Sequence, residues 1–115
     1  MKNAIVLITK PWFGSVAPAD EAFGAEILDK FLHTLEGAPE KPAAICFATE
    51  GVKALVKGSP IELGLKILAE AGVRVVACGT CVEKYGVGDR LALGEIAGMQ
   101  EIVRLMGEAD KVISV

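Results

Sequence analysis

Four short apolar runs constrain the fold more than anything else in the chain: Ala4–Ile8, Ala43–Ala48, Val73–Ala77 and Val112–Val115. They are rich in Val and Ile and lack polar alternation. A strand with one wet face alternates apolar with polar, whereas an unbroken short run reads as a strand buried on both faces. Helical stretches separate them. The order strand, helix, strand, helix, strand, helix, helix, strand implies right-handed crossovers and a parallel sheet covered on both sides. The fold class is α/β, a three-layer sandwich around a mainly parallel sheet of four or five strands. With no linker, repeat or low-complexity tract, one domain over residues 1–115 accounts for the pattern.

The helix boundaries carry their own signals. Pro18 suits a first turn, Asp20 and Glu21 complement the positive end of a helix dipole, and Gly37 is a C-terminal stop. The spacing predicts a core stripe of Phe23, Ile27, Phe31 and Leu35, widened by Leu28 and Leu32. Ser59-Pro60-Ile61-Glu62 reads as a capping box with proline at the first helical position, and Gly72 closes that helix. The last helix is predicted from about Gly98 through Ile102, Val103 and Met106, ending before Asp110. Gly79, Gly86, Gly88, Gly94 and Gly98 predict a short helix after Cys78 followed by irregular chain.

Composition excludes some functions. Twelve Lys and Arg against fifteen Asp and Glu leave a formal charge of -3, which argues against nucleic acid as a partner. The longest apolar run near the start, Ala4–Ile8, is too short to span a membrane, and no secretory leader pattern precedes it, so the reading is cytoplasmic. A mean hydropathy of +0.47 then has to be buried in a core or a subunit interface. Three cysteines, two of them in Cys78-Gly79-Thr80-Cys81, fit reactive or metal-binding thiols better than a secreted disulfide framework.

Ligands and reactive groups of open parallel sheets collect at the carboxyl ends of the strands. Three segments reach that edge: residues 9–17, 49–58 and 78–88. The first has Pro11, Trp12, Phe13 and Gly14 in place of a glycine-rich phosphate cradle, so no nucleotide or flavin cofactor is expected. Trp12 and Phe13 are read as covering the sheet edge or a subunit contact, the alternative being a grip on a partner, with Trp12 then lining the site. The third is the informative one. A thiol at a strand-to-helix junction meets unpaired backbone N–H groups and the positive end of a dipole, which favours the thiolate. Cys78 is therefore read as an accessible nucleophile and Cys81, one turn on, as its helper. Gly79 lets the backbone pass close, Thr80 offers a hydroxyl, and Lys84 and Arg90 offer positive charge. Glu50 falls on the same edge as a candidate proton acceptor, and Tyr85 stands nearby without an assigned role.

Other readings stay open. A zinc site could draw only on Cys46 and His33 beyond the pair, and the spacing does not gather them, so no metal is expected. A thioredoxin-type dithiol fits the Cys-Gly-Thr-Cys motif, but no proline follows Pro60 to stand opposite it. Two idle thiols in an interaction module are the third reading. Cys46 is read as an inert buried residue and His33 as a helix-surface side chain.

Cys78-Gly79-Thr80-Cys81, followed by Tyr85-Gly86-Val87, Gly94-Glu95, Met99, Ile102-Val103 and the stretch from Glu108 to Ile113, resembles the DsrE/DsrF-like family. Further matches are Asp20-Glu21 with Gly24, Phe31-Leu32 with Thr34-Leu35, and Gly51-Val52-Lys53. Within the family the chain is most similar to the C-terminal domain of YedF-type selenium-metabolism proteins, and it is related to TusD and YchN. The resemblance implies a flavodoxin-like sandwich, a homo-oligomer (dimer, trimer or hexamer), and sulfur relay. In that chemistry Cys78 takes the terminal sulfur of a donor persulfide and passes it to a small carrier, while Cys81 can discharge it as sulfide and leave a disulfide. YedF-type proteins fuse a TusA-like domain to this one, so a TusA-like or other small carrier is expected in trans. The first loop, with Pro11-Trp12-Phe13-Gly14, and Thr49-Glu50 before Gly51 depart from the family pattern.

Overall fold

The computed structural model describes residues 1–115. Five strands, β1 (Ala4–Ile8), β2 (Ala44–Phe47), β3 (Arg74–Cys78), β4 (Glu95–Ala97) and β5 (Lys111–Ser114), form one sheet in the order β4-β3-β2-β1-β5. Every neighbouring pair is parallel. Four α-helices connect them: α1 (Glu21–Glu36), α2 (Glu62–Glu70), α3 (Gly79–Tyr85) and α4 (Met99–Glu108). The chain steps from β1 to β4 in one direction with α1, α2 and α3 on one face. It then returns across the sheet through α4 to β5 beside β1. Reversing direction while keeping crossovers right-handed forces the returning helix onto the opposite face. The result is the expected α/β three-layer sandwich.

Strand alternation divides the core in two. Val6, Ile8, Ile45, Phe47, Val75 and Ala77 face α1, α2 and α3 and join Leu28, Leu32, Leu65 and Leu68 in the larger cluster. Ile5, Ala44, Cys46, Val76 and Cys78 face the other way and pack with Ile102 of α4. Each fully buried Leu or Ile contributes about 1.5–3 kcal/mol of apolar transfer, so the four-leucine ridge of α1 and α2 does much to hold the sheet edge in place.

Four expectations are corrected. The last apolar run, read as a strand buried on both faces, forms the edge strand β5 with Val112 44% exposed, because only β1 flanks it. The stripe of α1 is Gly24, Leu28, Leu32 and Leu35, while Phe23 is 59% exposed and Ile27 and Phe31 are only half-buried. The stripe is turned by one residue because the loop after β1 docks on this helix. Trp12 leaves no room for a side chain at Gly24, the Phe13 N–H donates to the Gly24 carbonyl at 3.0 Å, and the Phe13 and Phe31 rings lie 5.5 Å apart. The capping box forms differently from its sequence reading. α2 begins at Glu62, whose carboxylate accepts the Gly58 N–H, while the Ser59 hydroxyl donates to the Ala54 carbonyl at 2.6 Å. Finally, the irregular chain expected after α3 contains β4, an edge strand three residues long. Its Glu95 is held by Arg74, whose guanidinium reaches both carboxylate oxygens and also Glu101 of α4.

Candidate functional site

The carboxyl ends of β2 and β3 lie side by side, and the segments leaving them build the site. Cys78 is the last residue of β3 and the N-cap of α3, with φ -64° and ψ 119°; its thiol caps no helical N–H. Alternation along β3 puts it on the same face as Val76, under Ile102, and it is only 3% exposed. The expectation of an open Cys78 is therefore corrected. Cys81, one turn into α3, is half-buried and packs at the margin of both apolar clusters. It is the more exposed sulfur of the pair.

A backbone amide does reach a thiol, though not the expected one. The Thr49 N–H donates to Cys81 Sγ at 3.0 Å. Thr49 has φ +46°, a conformation that costs a β-branched residue about 1–2 kcal/mol. Its hydroxyl lies 2.8 Å from the Ala48 carbonyl and 3.0 Å from that of Thr9, contacts that offset the strain and tie the turn to both β2 and β1. Residues Thr49–Leu55 then form a 3₁₀ segment, and Gly51 at its first turn packs directly against the Ile8 carbonyl. Thr49 is a site residue that sequence reasoning missed, because nothing local marks a threonine for the left-handed region.

Burial and the adjacent Cys78 thiol push Cys81 above the ordinary cysteine range, against the lowering effect of the Thr49 N–H. Cys81 is accordingly a protonated thiol at neutral pH, fit to donate a hydrogen bond or a proton to a neighbouring sulfur anion.

The remaining candidates separate. At Gly79 a Cβ would lie 3.3 Å from Ile96 Cγ2 of β4. Thr80 is exposed and its hydroxyl makes no hydrogen bond, and Lys84 and Arg90 are exposed without an ion-pair partner. Glu50 is engaged by Lys53 at 3.2 Å, and the same ammonium stands 4.5 Å from the centre of the Tyr85 ring. Lys53 thus joins Glu50 to Tyr85, a link the sequence did not announce. Trp12 lines a separate cavity that contains neither cysteine. His33 lies on the surface of α1 between Asp29 and Glu36, 3.2 and 2.8 Å away. No group of three or more His, Cys, Asp or Glu side chains gathers to hold a metal ion. No helix is long and apolar enough to cross a membrane.

Cys46 is fully buried on β2, and burial raises its thiol from 9.0 to about 11. A raised folded value means the folded chain keeps a proton that the unfolded chain loses. Stability from this group is therefore complete below pH 9 and falls as pH rises toward 11, by about 2 kcal/mol over that window. Urea unfolding of wild type and Cys46→Ala across this range should give a shallower alkaline decline in the variant. Equal declines would contradict the burial of this thiol.

The family model described as DsrE/DsrF-like family matches residues 5–115. Among solved structures, the chain is similar to the ychN protein from E. coli, at 18% identity and a TM-score of 0.69 with 100% of both chains covered. It is similar to MTH1491 from Methanobacterium thermoautotrophicum, described as a protein of unknown function, at 21% identity and a TM-score of 0.71 over 97% of both chains. BT1422 from Bacteroides thetaiotaomicron aligns at 14% identity and a TM-score of 0.65, over 98% of this chain and 95% of that one. Among curated proteins none matches. At these identities the solved structures bear on the fold.

Proposed function

Because the chain belongs to the DsrE/DsrF-like family, which is linked to sulfur relay, we propose that it carries sulfane sulfur on the Cys78–Cys81 pair. The observation that supports this most is the adjacency of the two thiols at the carboxyl edge of the sheet, with Cys81 anchored by a backbone N–H at 3.0 Å. Cys78 attacks the outer sulfur of a donor persulfide, its proton passing to the departing donor sulfur. The donor S–S bond breaks, the donor leaves as a thiol, and Cys78 holds a persulfide with no net oxidation. Cys81, kept protonated, donates to the sulfur anion behind it. Cys78 is 3% exposed, so the attack requires a local opening of the side chains that cover it.

The acceptor thiolate then attacks the outer sulfur and leaves Cys78 free. In this reading the acceptor is a TusA-like or other small carrier in trans, the working form is a homo-oligomer, and the setting is cytoplasmic sulfur or selenium metabolism of the YedF type. The exposed Met99 and Val103 on α4, 49% and 57% accessible, support a subunit contact there. Dithiol exchange is the second reading, favoured by the same adjacency; it requires both thiols for insulin reduction.

Intact mass spectrometry after exposure to a small persulfide donor separates these readings. Wild type is expected to gain one sulfur atom, and Cys78→Ala to gain none. An unmodified wild type, or an undiminished adduct in Cys78→Ala, would overturn the proposal.

A further inference from the structure

We propose that Thr49 is a positioning residue for Cys81: its left-handed turn aims a backbone N–H at the sulfur and stabilises the anion that Cys81 becomes as it attacks. What Cys81 attacks rests on the sulfur-carrying reading above, whereas the effect on the sulfur itself is measurable without any persulfide.

The turn is clamped on both sides. The Ala48 N–H donates to the Ile8 carbonyl at 3.1 Å, and Gly51 packs directly against that same carbonyl. Between these fixed points residue 49 sits at φ +46° with its N–H 3.0 Å from Cys81 Sγ. Returning residue 49 to the usual negative φ while both ends stay put has to re-aim the peptide that carries this N–H. The Thr49 hydroxyl resists that return, lying 3.0 Å from the Thr9 carbonyl and 2.8 Å from the Ala48 carbonyl. Valine has the same shape and none of these bonds.

The donor matters where charge develops. When Cys81 attacks the inner sulfur of a Cys78 persulfide, the Cys78–Cys81 bond forms and the persulfide S–S bond breaks. The Cys81 proton passes to the departing sulfide. Negative charge builds on the Cys81 sulfur as that proton leaves, and a donor already in place needs no reorganisation to meet it. Burial and the Cys78 thiol on β3 both oppose the anion, and the Thr49 N–H is the one group that favours it; no charged side chain of the 3₁₀ segment, α3 or α4 acts on this sulfur.

Alkylation of Cys81 in the full chain by iodoacetamide, followed against pH by tandem mass spectrometry, tests the assignment. The midpoint of the profile reports how well the anion is stabilised, and the plateau reports how open the sulfur is. Thr49→Val is expected to raise the midpoint, so that below it Cys81 reacts about fivefold more slowly, the loss of one hydrogen bond to a charged sulfur. Thr49→Ser keeps the hydroxyl and is expected to match wild type. The side chain is exposed, and Thr49→Ala, which removes the same hydroxyl with less bulk, is expected to raise the midpoint too should the valine variant not fold. In persulfide-loaded chains, sulfide release should slow in Thr49→Val and not in Thr49→Ser. An unchanged midpoint in the valine and alanine variants, a change confined to the plateau, or an equal rise in Thr49→Ser would each overturn the proposal. A chain that takes up no sulfur leaves this alkylation result intact, so the two readings fail separately.

Discussion

Gly51→Ala is expected to destabilise the protein by about 3 kcal/mol or more, the range of severe overpacking. The added methyl would collide with the Ile8 carbonyl oxygen, lying 2.9 Å from its carbon and 3.2 Å from Thr9 Cα. All three are backbone atoms, so no rotamer change relieves the clash. The same carbonyl accepts the Ala48 N–H at 3.1 Å, which makes it part of the junction between β1 and β2. Moving residues 49–55 away would also withdraw the Thr49 N–H from Cys81. Gly107→Ala is the control. It lies inside α4 with nothing within 4 Å of the new methyl, and should gain about 0.4–1 kcal/mol. Urea unfolding of both variants tests the pair, and a Gly51→Ala chain as stable as wild type would contradict this packing.

The second large effect concerns Cys81. Once Cys78 carries a persulfide, the Cys81 sulfur can attack the inner sulfur of that group. The Cys78 S–S bond breaks, sulfide leaves with the Cys81 proton, and a Cys78–Cys81 disulfide remains for a thiol reductant to reopen. Attack within one turn of helix has the advantage of a high effective concentration. Cys81→Ser retains an acceptor for the Thr49 N–H but removes the attacking sulfur. Its persulfide is expected to outlast that of wild type by about tenfold or more without an added acceptor. Sulfide release, followed colorimetrically, should fall in proportion. Equal lifetimes would remove Cys81 from the chemistry.

The parts of this architecture that local chemistry dictates are legible from residues alone. β1, β2 and β3 follow from uninterrupted apolar runs, because only two-sided burial makes such runs tolerable in water, whereas β5 forms at its Val112–Val115 run as a largely exposed edge strand. β4 escapes that logic, since Glu95-Ile96-Ala97 is an edge strand three residues long and its Glu95 depends on Arg74, twenty-one residues earlier. The α1 stripe was displaced by a loop contact that no periodicity encodes. At the site, the dithiol motif and its strand-end location were readable, and counting alternation from Val76 would have put Cys78 on the α4 face. What could not be read is Thr49, whose left-handed backbone is held by tertiary contacts with Thr9 and Cys81.

Burial makes the assignment of the sulfur-bearing atom a sharp test, because the less accessible thiol is the one asked to react. The direct measurement is peptide mapping by tandem mass spectrometry on wild type exposed to a persulfide donor and trapped by alkylation. The extra sulfur is expected on Cys78, with Cys81 alkylated as a simple thiol and Cys46 unmodified until the chain is unfolded. Sulfur found on Cys81 alone, or on none of the three, would contradict the account.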